Sequence, residues 1–170
     1  MGDTGPGCGL MFLISGGLTY EMAPNTGGVN ETAGIQWCDD TTTSIAGAVG
    51  TAIGTGSANT TAMQAVCTSG AAISARAYAG GGQSDWFLPS KDELNEMCKY
   101  SRNPTTPPSP CAGGQDGAFA AGAFGFPSQF YFSSSQFDAT NAWDQSFFSG
   151  SQGGILKSTL TSRVRPVRAF

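Results

Sequence analysis

Apolar and polar positions change their period twice along this chain. Leu10 to Ile14 is an unbroken apolar run between glycines, which predicts a buried strand. Gly16-Gly17 predicts a tight turn, and Thr19 to Ala23 the returning strand of a hairpin. Pro24 to Thr32 reads as a polar loop. Ile35 to Cys38 is a short apolar patch whose Trp37 is expected in the core, and Asp39 to Ser57 is small, polar and aperiodic. A helical period then takes over. Asn59 or Thr60 is expected to cap a helix with apolar positions Ala62, Met63, Val66 and Cys67, ended by Ser69-Gly70. Ala71 to Ala79 predicts a second, alanine-rich helix, stopped by Gly80-Gly81-Gly82.

The stretch from Ser84 to Met97 carries the strongest local signals. Trp86, Phe87 and Leu88 have strand propensity, and Pro89 stops the run. Ser90 with Glu93 three residues later is a capping box. Asp92 and Glu93 sit at the positive end of the helix dipole. Leu94, Met97 and Cys98 give that helix one core-facing side. The corner predicts a folding anchor and no catalytic group.

Ser101 to Gly125 is rich in Pro, Gly and Ala and reads as a long surface loop. The period then shortens to two. Phe130 to Phe132, Ala142 to Phe148, Ile155 to Thr159 and Arg163 to Ala169 are expected strands with turn residues between them. Strands first, helices in the middle and strands last indicate an α+β domain. Both ends are strand-like and are expected to pair with each other.

Composition narrows the function classes. One domain of 170 residues is long enough for a core. Charged residues make up 12% and glycine 25 positions, a profile of a loop-rich extracellular module, while 11% aromatics argue against disorder. A net charge of −4 leaves no electrostatic footprint for nucleic acid or an anionic membrane, and no apolar run reaches membrane-spanning length. The opening MGDTGPGCG lacks a secretory signal, so the chain reads as a domain cut from a longer protein or one delivered without a signal, as a virion protein would be. Its first seven residues fit either the stub of a collagen-like stalk or a simple turn.

SDWFLPSKDELNEM, YFSSSQFDATNAWDQSFFSGSQ and the terminal RVRPVRAF resemble the DUF1566 family, the C-terminal domain of the Legionella collagen-like protein and of bacterial and phage surface proteins. GDTGPGCGLMFLISGG is similar to the entry strand of such domains, which usually carry glycine where Cys8 stands. IQWC and AIGTGSANTTAMQAVC fit as well, and residues 101–125 match least. The resemblance implies a C-type-lectin-like fold and a bridge between Cys38 and Cys67. Cys98 and Cys111 bracket KYSRNPTTPPSP, where a disulfide would staple the proline-rich excursion to the helix end. That leaves Cys8 unpaired; the alternative is five free thiols in a reduced compartment.

Candidate chemistry is sparse. Without histidine there is no Ser-His-Asp or Cys-His device, and no CxxC pair suggests zinc. Asp39-Asp40 offer hard oxygens to calcium, though not at EF-hand spacing, and no other cofactor is expected. Gly50, Gly54 and Gly56 are in the wrong order for a dinucleotide loop. Arg163, Arg165 and Arg168 have two readings: contact with sulfated glycans, which the resemblance implies, or ion pairs with Asp85, Asp92 or Glu93.

The segment from Ser128 to Ser162 mixes aromatics with short polar groups, the inventory of a recognition face. Its expected ligand-binding residues are Tyr131, Gln136, Asp138 and Asn141, with Asp144, Gln152 and Lys157. The turns Gln136 to Asn141 and Ser149 to Gly154 are the expected tips; Trp143 and Phe147 are expected to be core. The favoured function is a non-catalytic receptor- or glycan-binding domain at the tip of a bacterial surface fibre or phage tail fibre. The rivals are a cap that trimerises a fibrous stalk without a ligand, and an enzyme of the lectin-like superfamily.

Overall fold

The computed structural model describes residues 1–25 and 33–170, so most of the expected loop from Pro24 to Thr32 lies outside the described residues. The architecture is α+β, with two small antiparallel sheets and helices between them. Strands β1 (Leu10–Ser15) and β2 (Leu18–Met22) form the expected hairpin. Gly16 and Gly17 both take positive φ, 58° and 82°, as a two-residue hairpin turn requires. β2 then pairs with β6 (Val167–Ala169), so the two ends of the domain meet in one sheet of order β1-β2-β6. The second sheet has order β3-β4-β5, with β3 Phe130–Gln136, β4 Asn141–Ser146 and β5 Gln152–Leu156.

The corner at Trp86 joins these parts. Trp86 is fully buried, its indole nitrogen donates to the Gly80 carbonyl at 3.2 Å, and Tyr78 meets the ring edge-on at 4.8 Å. Phe87 bridges Val167 of β6 through reciprocal backbone bonds of 2.8 and 2.9 Å. The capping box of Ser90 and Glu93 is formed and starts the long central helix, which buries Leu94, Met97 and Cys98.

Helix α1 runs from Gly56 to Gln64, α2 from Ala71 to Ala77, α3 from Lys91 to Arg102 and α4 from Gly117 to Ala120. Asn59 and Thr60 are therefore inside α1 and do not cap it. Both are buried and tie the helix to other segments: Asn59 Nδ2 donates to the Gly50 carbonyl and Ser134 Oγ, and Thr60 Oγ1 accepts from the Leu88 amide. Val66 and Cys67 lie beyond the last turn of α1. The segment from Ser101 to Gly125 is less of a surface loop than its composition implies. It begins as the end of α3, carries α4, and buries Phe119 against Tyr100.

β3 stands between the two hydrophobic clusters. Tyr131 packs with Phe126 and Phe147 in one, and Phe132 joins Trp37, Leu88 and Val164 in the other. Consecutive strand residues point to opposite faces, so both faces of β3 are covered. Phe147 is core as expected; Trp143 is half-buried.

The arginines follow the structural reading where their partners are seen. Arg168 pairs with Asp85 and with buried Glu21, the latter at 3.0 Å. Arg165 is buried over the Phe126 ring and donates to the Gly125 carbonyl.

Bridges join Cys38 to Cys67 and Cys98 to Cys111, and Cys8 is free and exposed. Cys8 has φ 59°, the left-handed region that glycine enters most easily, at the position where the resembling domains usually carry glycine.

Trp86→Ala should destabilise the domain by ~3–5 kcal/mol in denaturant unfolding, because nothing refills an indole-sized cavity. Ser90→Ala should cost about 1 kcal/mol through the lost cap. Non-reducing peptide mapping should recover Cys38 with Cys67 and Cys98 with Cys111. Removal of the Cys98–Cys111 bridge should cost about 3 kcal/mol, as for other loops of this length.

Candidate functional site

Three of the expected ligand-binding residues are internal. Lys157 is fully buried, and its ammonium donates to the carbonyls of Thr43 and Ala139 and to Gln136 Oε1, at 2.7–2.9 Å, while standing 4.9 Å from the Trp37 ring. Burial lowers its pKa. Gln136 Oε1 also accepts from the Ile45 amide, and its Nε2 donates to Ser44 Oγ. Tyr131 is fully buried among Phe126 and Phe147. All three hold the β3 sheet to the rest of the domain and do not line a surface. The reason is that their partners, residues 43–45 and 126, are remote in sequence and supply the hydrogen bonds and ring contacts that make burial tolerable.

Asp138 and Asn141 do lie at the sheet tip, but they bind each other. Asp138 Oδ1 accepts from the amides of Thr140 and Asn141 at 2.8 Å, and Asn141 Nδ2 donates to both carboxylate oxygens at 2.9 Å. These bonds hold the carboxyl below its ordinary range and stiffen the β3–β4 turn. Phe137, half exposed, lies over Gly154 and meets Trp143 edge-on at 4.7 Å. A Cβ on Gly154 would stand 3.0 Å from that ring, so glycine is what lets Phe137 settle there. Lys91 Nζ stands 4.9 Å over the Trp143 ring, and the Lys91 carbonyl accepts from Gln152 Nε2 at 2.8 Å.

Asp144 occupies the other face of the same strand. It pairs across the sheet with Gly153 of edge strand β5 and opens onto a cleft of about 280 Å³. Phe130, Ile155 and Thr161 line the cleft with Ser151, Gln152, Gly153 and Gly154. Gly153 keeps it open, since a Cβ there would meet no atom within 4 Å. Asp144 is only 6% exposed, yet its carboxylate receives one long bond, from Ser162 Oγ at 3.4 Å. Burial therefore pushes its pKa up to about 6. Of the expected residues, Asp144 and Gln152 meet here. Phe130, Gly153 and Thr161 went unrecognised in the sequence, where Gly153-Gly154 reads as a turn and the other two as ordinary strand and loop positions.

Asp39 and Asp40, the calcium candidates, use their oxygens on nearby donors. Asp39 accepts from Thr68 and Ser69, and Asp40 Oδ1 from the amides of Thr42 and Thr43 at 3.0 Å. Asp40 is held at about 2 as a result. Asp39 lies beside Cys38 and Cys67, whose sulfurs are joined to each other and are not thiolate ligands.

The model of the Lcl C-terminal domain matches residues 29–168, which include the corner, both bridges and the whole β3-β4-β5 sheet. The chain belongs to the Lcl C-terminal domain family. The family is a terminal domain of a collagen-like protein and is not a known enzyme family. Its match begins after the β1–β2 hairpin, so the resemblance of that hairpin to an entry strand lies outside the matched residues. No curated protein matches the chain.

The Asp144 carboxyl has a folded-state pKa of about 6, above its ordinary 3.8. The folded state thus favours the proton: the penalty is absent below about pH 4 and grows as pH rises through 6. Asp144→Asn should raise stability at pH 7.5 by on the order of 1–2 kcal/mol, less than the ~3 of the full shift because the cleft admits water. The gain should vanish in unfolding curves at pH 3.5.

Proposed function

We propose that this Lcl C-terminal domain is a non-catalytic recognition module that binds a glycan or a protein receptor at the tip of a bacterial surface fibre or phage tail fibre. The observation that carries the reading is the open cleft beside β5. It combines an exposed aromatic ring, a carboxylate with unused acceptor capacity, and hydroxyl-bearing residues Ser151 and Thr161 beside strands backed by a packed core. The volume is below the roughly 300–1,000 Å³ of pockets for drug-sized molecules, which suits one sugar ring or one side chain. The rim of Phe137 and Trp143 gives a second apolar contact on the opposite face of the sheet.

The same proposal includes a C-type-lectin-like relationship of the fold, supported by ends that meet in one sheet and a second sheet that carries the contact turns. An extracellular or virion location is supported by the two bridges and by the collagen-like protein for which the family is named. Homotrimerisation on a preceding stalk fits that setting.

Gly153→Val is the cleanest probe, because its side chain enters open space in the cleft while Asp138 and Asn141 hold their own turn. The domain should bind glycan arrays or cell surfaces, and Gly153→Val should reduce binding at least about tenfold with stability within about 1 kcal/mol of the parent. A stable domain that binds neither array nor cells would overturn the reading in favour of a stalk cap.

A further inference from the structure

We propose that the cleft beside β5 is a subsite for a primary ammonium group, with Asp144 as the charge partner and Phe130 and Ile155 flanking the carbon stem. The inference deepens the recognition reading and rests on it. Asp144 is more than nine-tenths buried and opens onto the cleft with one 3.4 Å bond from Ser162. Such a carboxylate lacks donors, and burial makes its charge costly at neutral pH. Among the described residues that line the cleft, Asp144 is the one charged group. A ligand anion is repelled there. A neutral hydroxyl can donate one hydrogen bond but leaves the charge uncompensated. An ammonium supplies both the charge and three donors.

The rest of the lining fits that group. Ser151 and Thr161 offer hydroxyl acceptors for the N–H bonds left over from Asp144. Phe130 is 46% exposed at the cleft, an aromatic surface suited to a methylene stem or to the cation itself. Gly153, opposite Asp144 in the sheet, contributes no side chain to block the approach. The ammonium has two natural sources: a lysine side chain of a receptor protein or an amino sugar.

The test is a titration of the uniformly ¹⁵N-labelled chain, followed through the backbone amides of Gly153 and Gly154. The probes are Nα-acetyl-lysine methylamide, its Nε-acetyl derivative, glucosamine, N-acetylglucosamine and glucose. At least one ammonium probe should shift these amides with a Kd in roughly the millimolar range, at least about tenfold tighter than its neutral counterpart. Preference for the lysine or the glucosamine arm identifies the source. Asp144→Asn should abolish the difference between charged and neutral probes, and Gly153→Val should abolish the shifts altogether. Equal binding of neutral probes, absence of shifts with every probe, or titrations indifferent to both variants would overturn the proposal. The parent titration alone decides the matter if a variant fails to fold. Cell attachment without ammonium preference would sink this subsite and leave the recognition reading standing; ammonium binding without any attachment would do the reverse.

Discussion

The carboxylate of Glu93 is the constraint on which most of the domain depends. It is fully buried at the first turn of α3, where burial raises its pKa, and it accepts from the amides of Ser90 at 2.7 Å and Gly54 at 2.8 Å. The helix dipole and these donors offset part of the cost of placing a carboxylate there. The consequence is geometric. The loop at 54–56, the start of α1 and the corner after Pro89 must all converge on one point. Gly56 is required at that point, because a Cβ there would stand 2.2 Å from the carboxylate. From the same corner Phe87 reaches β6 and Leu88 enters the second cluster, so capping one helix also aligns both sheets.

Rigidity passes from this corner to the β3-β4-β5 sheet. β3 is covered on both faces, and its far end is held by the bonds of Gln136 and Lys157 to residues 43–45. β5 is thereby left as the partly exposed outer strand. β5 is the sheet edge, and its two glycines have opposite uses: Gly154 receives the Phe137 ring, and Gly153 keeps the approach to Asp144 clear. The cleft and the aromatic rim thus adjoin strands and a self-bonded turn, a preorganised setting in which the binding proposed above would cost little ordering.

Several features were legible because they are local. The capping box needs only Ser90 and Glu93 at the right spacing; the hairpin needs an apolar run and two glycines; the alternation around Phe130 to Phe132 separates two faces without reference to a partner. β5 starts and ends three residues before the expected Ile155 to Thr159, for the opposite reason. A glycine pair signals a turn in isolation, yet Gly153 and Gly154 are held in extended form by cross-strand pairing with Asp144 and Trp143. Asn59 has the chemistry of a helix cap and works instead as a buried tie, because Gly50 and Ser134 come within reach of its amide.

By itself the sequence determined an α+β domain whose ends pair and a tryptophan corner leading into a capped helix. Each follows from periodicity or from contacts within a few residues. Only the tertiary structure decided which polar side chains are tied into the interior and which open onto the cleft. Lys157 and Asp144 are both charged residues in the same late segment, and nothing adjacent to either distinguishes them. Folding brings three acceptors to Lys157, and burial becomes tolerable there. It brings Asp144 one distant hydroxyl and an open cleft, so that carboxylate keeps its capacity to bind. The difference lies in which remote partners each charge meets, and a linear chain does not record it.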